Sequence, residues 1–267
     1  MGAGLSSIVR EKKCFMKDVY AAPQADLEVP VTLKDYGSVE QGISGQYELR
    51  IGDVIREAWE KTKGVKGSFV LAFVFYFLIS VVLNGAFRLL GYVWLGTQDP
   101  GLHGDFHAGF FVIQQLVSIL VTMPLAVGLF MMGVRRAVDA PVRATMIFAY
   151  YGKSLTFLAA IVLIYLLIIV GLVLLIIPGI YLAFAYYLSL PLMVDKGLSI
   201  WAAMEASRKA ISKRWFTFAG LYLLLGLIGI LAAIPLLIPL IWVGPMIIIA
   251  GGIMYRNIFG CEPETVA

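Results

Sequence analysis

Side chains able to do chemistry are sparse in this 267-residue chain, and its two histidines, His103 and His107, flank Asp105. With Asp99 close by, two imidazoles and two carboxylates supply the ligand types that zinc or a similar ion takes. The run from Asp99 to His107 is rich in glycine and reads as a loop, so these ligands are not preorganised. A solvated loop competes with the metal reading. No further histidine is present for general acid–base work, and Cys14 and Cys261 lie near opposite ends without metal or disulfide spacing. No catalytic residue can be named, no cofactor is implied, and the reading is of a non-enzyme.

Two other groupings carry binding chemistry. Arg208, Lys209, Lys213 and Arg214, flanked by Trp201 and Trp215, form a basic cluster suited to anionic lipid headgroups. Each basic side chain near such a surface is worth ~1 kcal/mol. Asn84, Arg88, Gln114 and Gln115 are strongly polar side chains in otherwise apolar segments, which suggests a small polar pocket. The competing reading has the amides bonding across helices while Arg88 snorkels to the interface. Tyr181, Tyr186 and Tyr187 could form an aromatic patch for a lipid or apolar ligand, with Tyr181 expected near the outer interface.

The elements that must hold these residues are membrane helices. Hydrophobic residues make up 60% of the chain and charged residues 14%, against ~45–50% and ~25% in soluble domains. Ser154–Val194 and Trp215–Tyr255 each contain no Asp, Glu, Lys or Arg, and each carries a proline at its 25th position, Pro178 and Pro239. A bilayer core takes ~20 apolar helical residues, so each stretch is long enough to cross twice. A first helix over 68–90, a loop over 91–106 and a second helix over 108–134 precede them. The predicted fold is an all-α integral membrane protein with six transmembrane helices arranged as three hairpins. The first charge-free hairpin should turn at Pro178-Gly179 and the second around Pro235–Pro239.

Each hairpin is expected to follow an amphipathic piece on the cytoplasmic face: Ile51–Lys66, Val142–Lys153 and Leu198–Arg214, the last capped by Ser199. Residues 1–50 read as a polar, mostly disordered tail, 51–256 as the membrane domain and 257–267 as a second tail. One set of helix ends collects thirteen Lys and Arg, within 61–66, 135–143, 153, 196, 208–214 and 256, while the other has only Arg88. The positive-inside rule then places both termini in the cytoplasm. The net charge of +4 resides at these helix ends and does not call for nucleic acid. Glu57-Ala58 and Glu205-Ala206 each open a segment with a lysine at matching spacing, Lys61 and Lys209, which suggests an internal repeat.

The segment from Leu174 to Leu224 adds a resemblance. It has a Pro178-Gly179 turn, a helix ending Pro191-Leu-Met-Val-Asp195, an Ala-Met-Glu-Ala-Ser207-Arg-Lys helix, and Lys-Arg-Trp215 entering the next span. This resembles the YciC-like group of bacterial inner-membrane proteins, which is similar to the membrane domain of some glycerophosphoryl diester phosphodiesterases. The resemblance covers about residues 50–256. It implies a multi-pass protein of the bacterial inner membrane and carries over no catalytic residues, because this chain has no counterpart of the phosphodiesterase domain. Helices three to six hold no ionisable residue other than tyrosine, which disfavours ion-coupled transport. The functional expectation is an accessory or structural envelope protein that contacts membrane lipids, with a protein partner or a second copy as a further partner. The alternative is a passive transporter of lipid or another amphiphile.

Overall fold

Six helices are long and apolar enough to cross a bilayer, so the chain is an all-α, multi-pass membrane protein. The structure, a computed structural model, describes residues 36–95, 104–235 and 237–266. Among the described residues the regular elements are all helical. Two short helices at one end, α1 (Val39–Ser44) and α2 (Ile51–Lys61), lead into the long pair α3 (Lys66–Leu95) and α4 (Gly104–Ala137). Helices α5 (Ser154–Leu174), α6 (Ile176–Ala185) and α7 (Ser189–Asp195) follow, then α8 (Ile200–Lys213). The chain closes with α9 (Trp215–Ala233), α10 (Leu240–Phe259) and the single turn α11 (Pro263–Val266).

Packing is organised by α10, which is buried from Ile249 through Arg256 and again at Ile258 and Phe259. It lies on α4, running in the same direction. A Cβ added to Gly252 would run into the Gly133 carbonyl group, and one added to Gly133 would meet the Ile248 carbonyl. Glycine at both positions therefore lets the two backbones touch, the usual way helices associate where lipid removes the hydrophobic drive. Phe130 fills the space beside Gly251 and packs edge-on against Tyr255.

Polar groups tie the basic helix ends to this pair. Arg256 is buried and holds both Glu57 carboxylate oxygens, at 2.7 and 3.0 Å, while also donating to the Ala137 carbonyl at 2.6 Å. One side chain thus joins α2, α4 and α10. Asp195 at the end of α7 is also buried; it accepts from the Tyr255 hydroxyl at 2.8 Å and the Glu262 backbone N–H at 3.1 Å. Lys196 bridges to Glu262 at 2.7 Å. Buried charges are tolerable when each is paired in this way.

Several expectations change. Residues 36–50 form α1 and bury Tyr47 and Leu49, so this part of the expected polar tail is built into the fold. Residues 257–259 likewise complete α10, and Glu262 just beyond it contacts Asp195. The predicted amphipathic helix over Val142–Lys153 is instead two 3₁₀ turns, Ala144–Phe148 and Tyr151–Lys153. The Ile147 backbone fills the gap beside Gly128, and the Tyr151 hydroxyl donates to the Val121 carbonyl at 3.0 Å. Stretching between those two holds along α4 suits the greater rise of a 3₁₀ turn.

The first charge-free hairpin turns at Leu175, three residues before Pro178. Proline is accommodated in the first turn of α6 because its missing N–H would be unpaired there anyway. Gly171 and Gly179 bring α5 and α6 together. The remainder of this stretch breaks at 186–188 into α6 and α7. The second hairpin turns between α9 and α10, through 234–235 and 237–239, where the sequence places it.

Tyr181 packs against the basic helix α8 and the start of α9. Its hydroxyl pairs with the Ser212 hydroxyl and its ring packs on Trp215, at the junction of α8 and α9. Ser207 donates to the Ala185 carbonyl at 2.7 Å, so α6 lies antiparallel along α8. Phe184 also meets Trp215, while Tyr187 meets Phe218 and Tyr222, so α6 and α9 run in the same sense. Strict up-and-down alternation would oppose them. The buried small face of α8, with Ala203, Ala206, Ser207 and Ala210, permits this close approach.

Gly252→Ala should lower the detergent-solubilised melting temperature, with an overpacking cost of ~1–3 kcal/mol. Gly226→Ala, where an added Cβ meets nothing within 4 Å, should leave it unchanged. Burial, with Asp195 adding to it, pushes the Cys261 thiol up to about 12, so it stays protonated near neutrality. In a Cys14→Ser background, maleimide at pH 8 should therefore label Cys261 slowly in the folded protein and rapidly after denaturation.

Candidate functional site

Helix α8 begins at Ser199, whose hydroxyl accepts from the Ala202 N–H at 3.4 Å. Its periodicity buries Ala203, Met204, Ala206, Ser207, Ala210 and Ile211. The remaining face carries Trp201, Glu205, Arg208, Lys209, Ser212 and Lys213. Trp201 is 65% exposed, as expected of an interfacial anchor. Trp215 is different: it is half-buried and wedged among Tyr181, Phe184 and Phe216, so it packs rather than faces a headgroup.

Glu205 organises the cations. Arg208 grips both of its oxygens at 2.8 and 2.9 Å, and Lys209 approaches one at 3.3 Å. The hydrogen bond from Arg208, with Lys209 assisting, holds the Glu205 carboxyl down to about 2, so it remains ionised where a free Glu titrates near ~4.3. The same pairing raises Arg208 further above its already high value. Ion pairs this exposed add little stability. Their effect is to fix where the positive charge stands.

Lys213 makes no ion pair among the described residues, and its stem lies over Gly45 just after α1. Arg214 stacks 5.7 Å from the Tyr47 ring. The Tyr47 hydroxyl donates to the Ala210 carbonyl at 2.9 Å, and burial pushes it up to about 12. Helix α1 therefore forms a wall beside the basic row. Ile43, Arg208, Lys209, Ser212 and Lys213 together line a cleft of about 500 Å³. Three cations, a hydroxyl and an aliphatic wall make a fitting receptor for a phosphate ester with apolar substituents.

Of the basic cluster read from the sequence, Arg208, Lys209 and Lys213 are brought together, Arg214 turns to Tyr47, and Trp201 and Trp215 separate. Asn84 and Arg88 lie on α3, and Gln114 and Gln115 lie on α4. Asn84 donates to the Ser80 carbonyl of its own helix at 2.8 Å, and Asn84, Arg88 and Gln115 are exposed. The side chains of His103, Asp105 and His107 lie outside the described residues, although helix α4 already begins at Gly104. Among the described residues, no group of three His, Cys, Asp or Glu is placed to hold a metal.

Sequence reasoning missed Glu205 as the partner of this cluster and missed α1 as its wall. Glu205 had a usable signal, since it stands three and four residues before Arg208 and Lys209. Glu57 and Lys61 make the same four-residue pairing at 3.8 Å. No protein-family model matches this chain, and no curated protein or solved structure matches it either.

Removing the carboxylate that pairs with Arg208 and Lys209 should strengthen anion binding. Glu205→Gln is expected to raise affinity for phosphatidylglycerol in detergent by about fivefold, the worth of roughly one unit charge at a lipid surface. A lipid titration followed by native mass spectrometry checks this.

Proposed function

We propose that this chain is a non-enzymatic accessory or structural protein of the bacterial inner membrane that holds anionic phospholipid headgroups at the basic face of α8. The cleft of Ile43, Arg208, Lys209, Ser212 and Lys213 carries this reading. It combines cations in fixed positions with an aliphatic wall, and it lies beside the first residues of the apolar helix α9, where a headgroup would be. The resemblance to YciC-like inner-membrane proteins and the crowding of Lys and Arg at one set of helix ends support cytoplasmic termini.

The passive transport of an amphiphile is the second reading. A lipid-facing apolar cleft of about 360 Å³ between α4, α5 and the α6–α7 segment favours it. The two separate by experiment, because saturable uptake of an amphiphile into proteoliposomes belongs to transport and not to an accessory role.

The headgroup reading predicts a preference for phosphatidylglycerol over phosphatidylcholine in the delipidated, detergent-solubilised protein. Arg208→Gln, Lys209→Gln and Lys213→Gln combined should reduce that preference by ~10²-fold, from ~1 kcal/mol per basic side chain. An unchanged lipid preference in the triple variant would count against it.

A further inference from the structure

The apolar cleft and the basic row are neighbours. Ala126 and Phe130 of α4, Ile164 and Ile168 of α5, and Tyr186 and Tyr187 after α6 line the cleft. Helix α6, which forms one wall, is fastened to α8 by the Tyr181–Ser212 hydroxyl pair and by the Ser207 bond to the Ala185 carbonyl. Tyr186 stands within electrostatic reach of both Arg208 and Glu205. A single molecule with an anionic head and an apolar tail would therefore meet complementary surfaces in both places.

We infer that the cleft seats one acyl chain of an anionic phospholipid whose headgroup lies against Arg208, Lys209 and Lys213. This rests on the headgroup reading above and extends it to a bound, slowly exchanging lipid. At about 360 Å³ the cleft is near the lower limit of ligand pockets, enough for much of one chain and too small for a whole diacyl lipid. Its walls are aliphatic and aromatic, with tyrosine hydroxyls as their polar side-chain groups, which suits a hydrocarbon chain and offers no site for a charged solute. The head is placed by charge, since the cations adjoin the wall that carries Tyr186. Bulk annular lipid has no reason to choose this position over any other; a lipid anchored at both ends does.

The probes are dioleoyl phosphatidylglycerol and its dihexanoyl analogue, which shares the headgroup and lacks the chain. After lipid loading and dilution in detergent, native mass spectrometry counts what stays bound. One dioleoyl molecule per protein should be retained, and the dihexanoyl lipid should be retained at least about tenfold less, because affinity grows steeply with each buried methylene. Ala126→Phe and Ile168→Trp, which fill the cleft from opposite walls, should each lower dioleoyl retention about tenfold. Both should keep the wild-type preference for phosphatidylglycerol over phosphatidylcholine, which also reports that α8 is folded. If either variant keeps that preference and retains lipid like the wild type, or if the wild type retains none, the chain site is overturned while the headgroup reading stands. Loss of preference would fail to appear in the Arg208, Lys209 and Lys213 triple variant only if the headgroup reading itself were wrong.

Discussion

The contact between α4 and α10 at Gly133 and Gly252 is the constraint on which the rest of this protein rests. Without water in the bilayer core, burying apolar surface between helices gains little over leaving it in lipid, so close packing must supply the association. Two glycines facing each other allow backbone contact there. The remaining helices can then be largely lipid-covered on their outer faces: α9 exposes Leu223, Leu227 and Ile230, while α10 beside it is buried along its second half.

That contact also positions the basic end. Because α4 and α10 run together, Ala137 and Arg256 finish side by side, and Arg256 can reach Glu57 on α2. Tyr255, one residue earlier, reaches Asp195. The two arrangements bring α2 and α7 to the ends of the central pair, and α7 leads through a short link into α8. The positions of Arg208, Lys209 and Lys213 thus follow from helix contacts well removed from them. Glu205 and α1 add the local order, the first by drawing two cations together and the second by closing one side of the cleft.

The unusual course of α6 has a similar origin. An apolar hairpin standing upright would satisfy the hydropathy pattern equally well. Hydroxyl groups at Ser207 and Ser212 and the small residues around them offer α6 closer contacts along α8. The result places tyrosines near cations and opens an apolar cleft at their side.

Hydropathy, charge placement and spacing were enough to determine the helical membrane class, the six apolar helices, the turn between α9 and α10, the Ser199 cap and the clustering of Arg208, Lys209 and Lys213. These depend on transfer of side chains between water and lipid and on helical periodicity, both of which act locally along the chain. The tertiary structure decided that residues 36–50 are part of the body and that Val142–Lys153 is drawn out along α4. It also decided that Tyr181 belongs with Ser212, and that the Asn84 amide bonds the Ser80 carbonyl of its own helix. Those outcomes turn on which surfaces fit at van der Waals distance and which polar atoms find partners across many residues of sequence. A basic stretch is visible in the residues themselves; its neighbours, a carboxylate, a wall and an apolar cleft, exist only once the helices have packed.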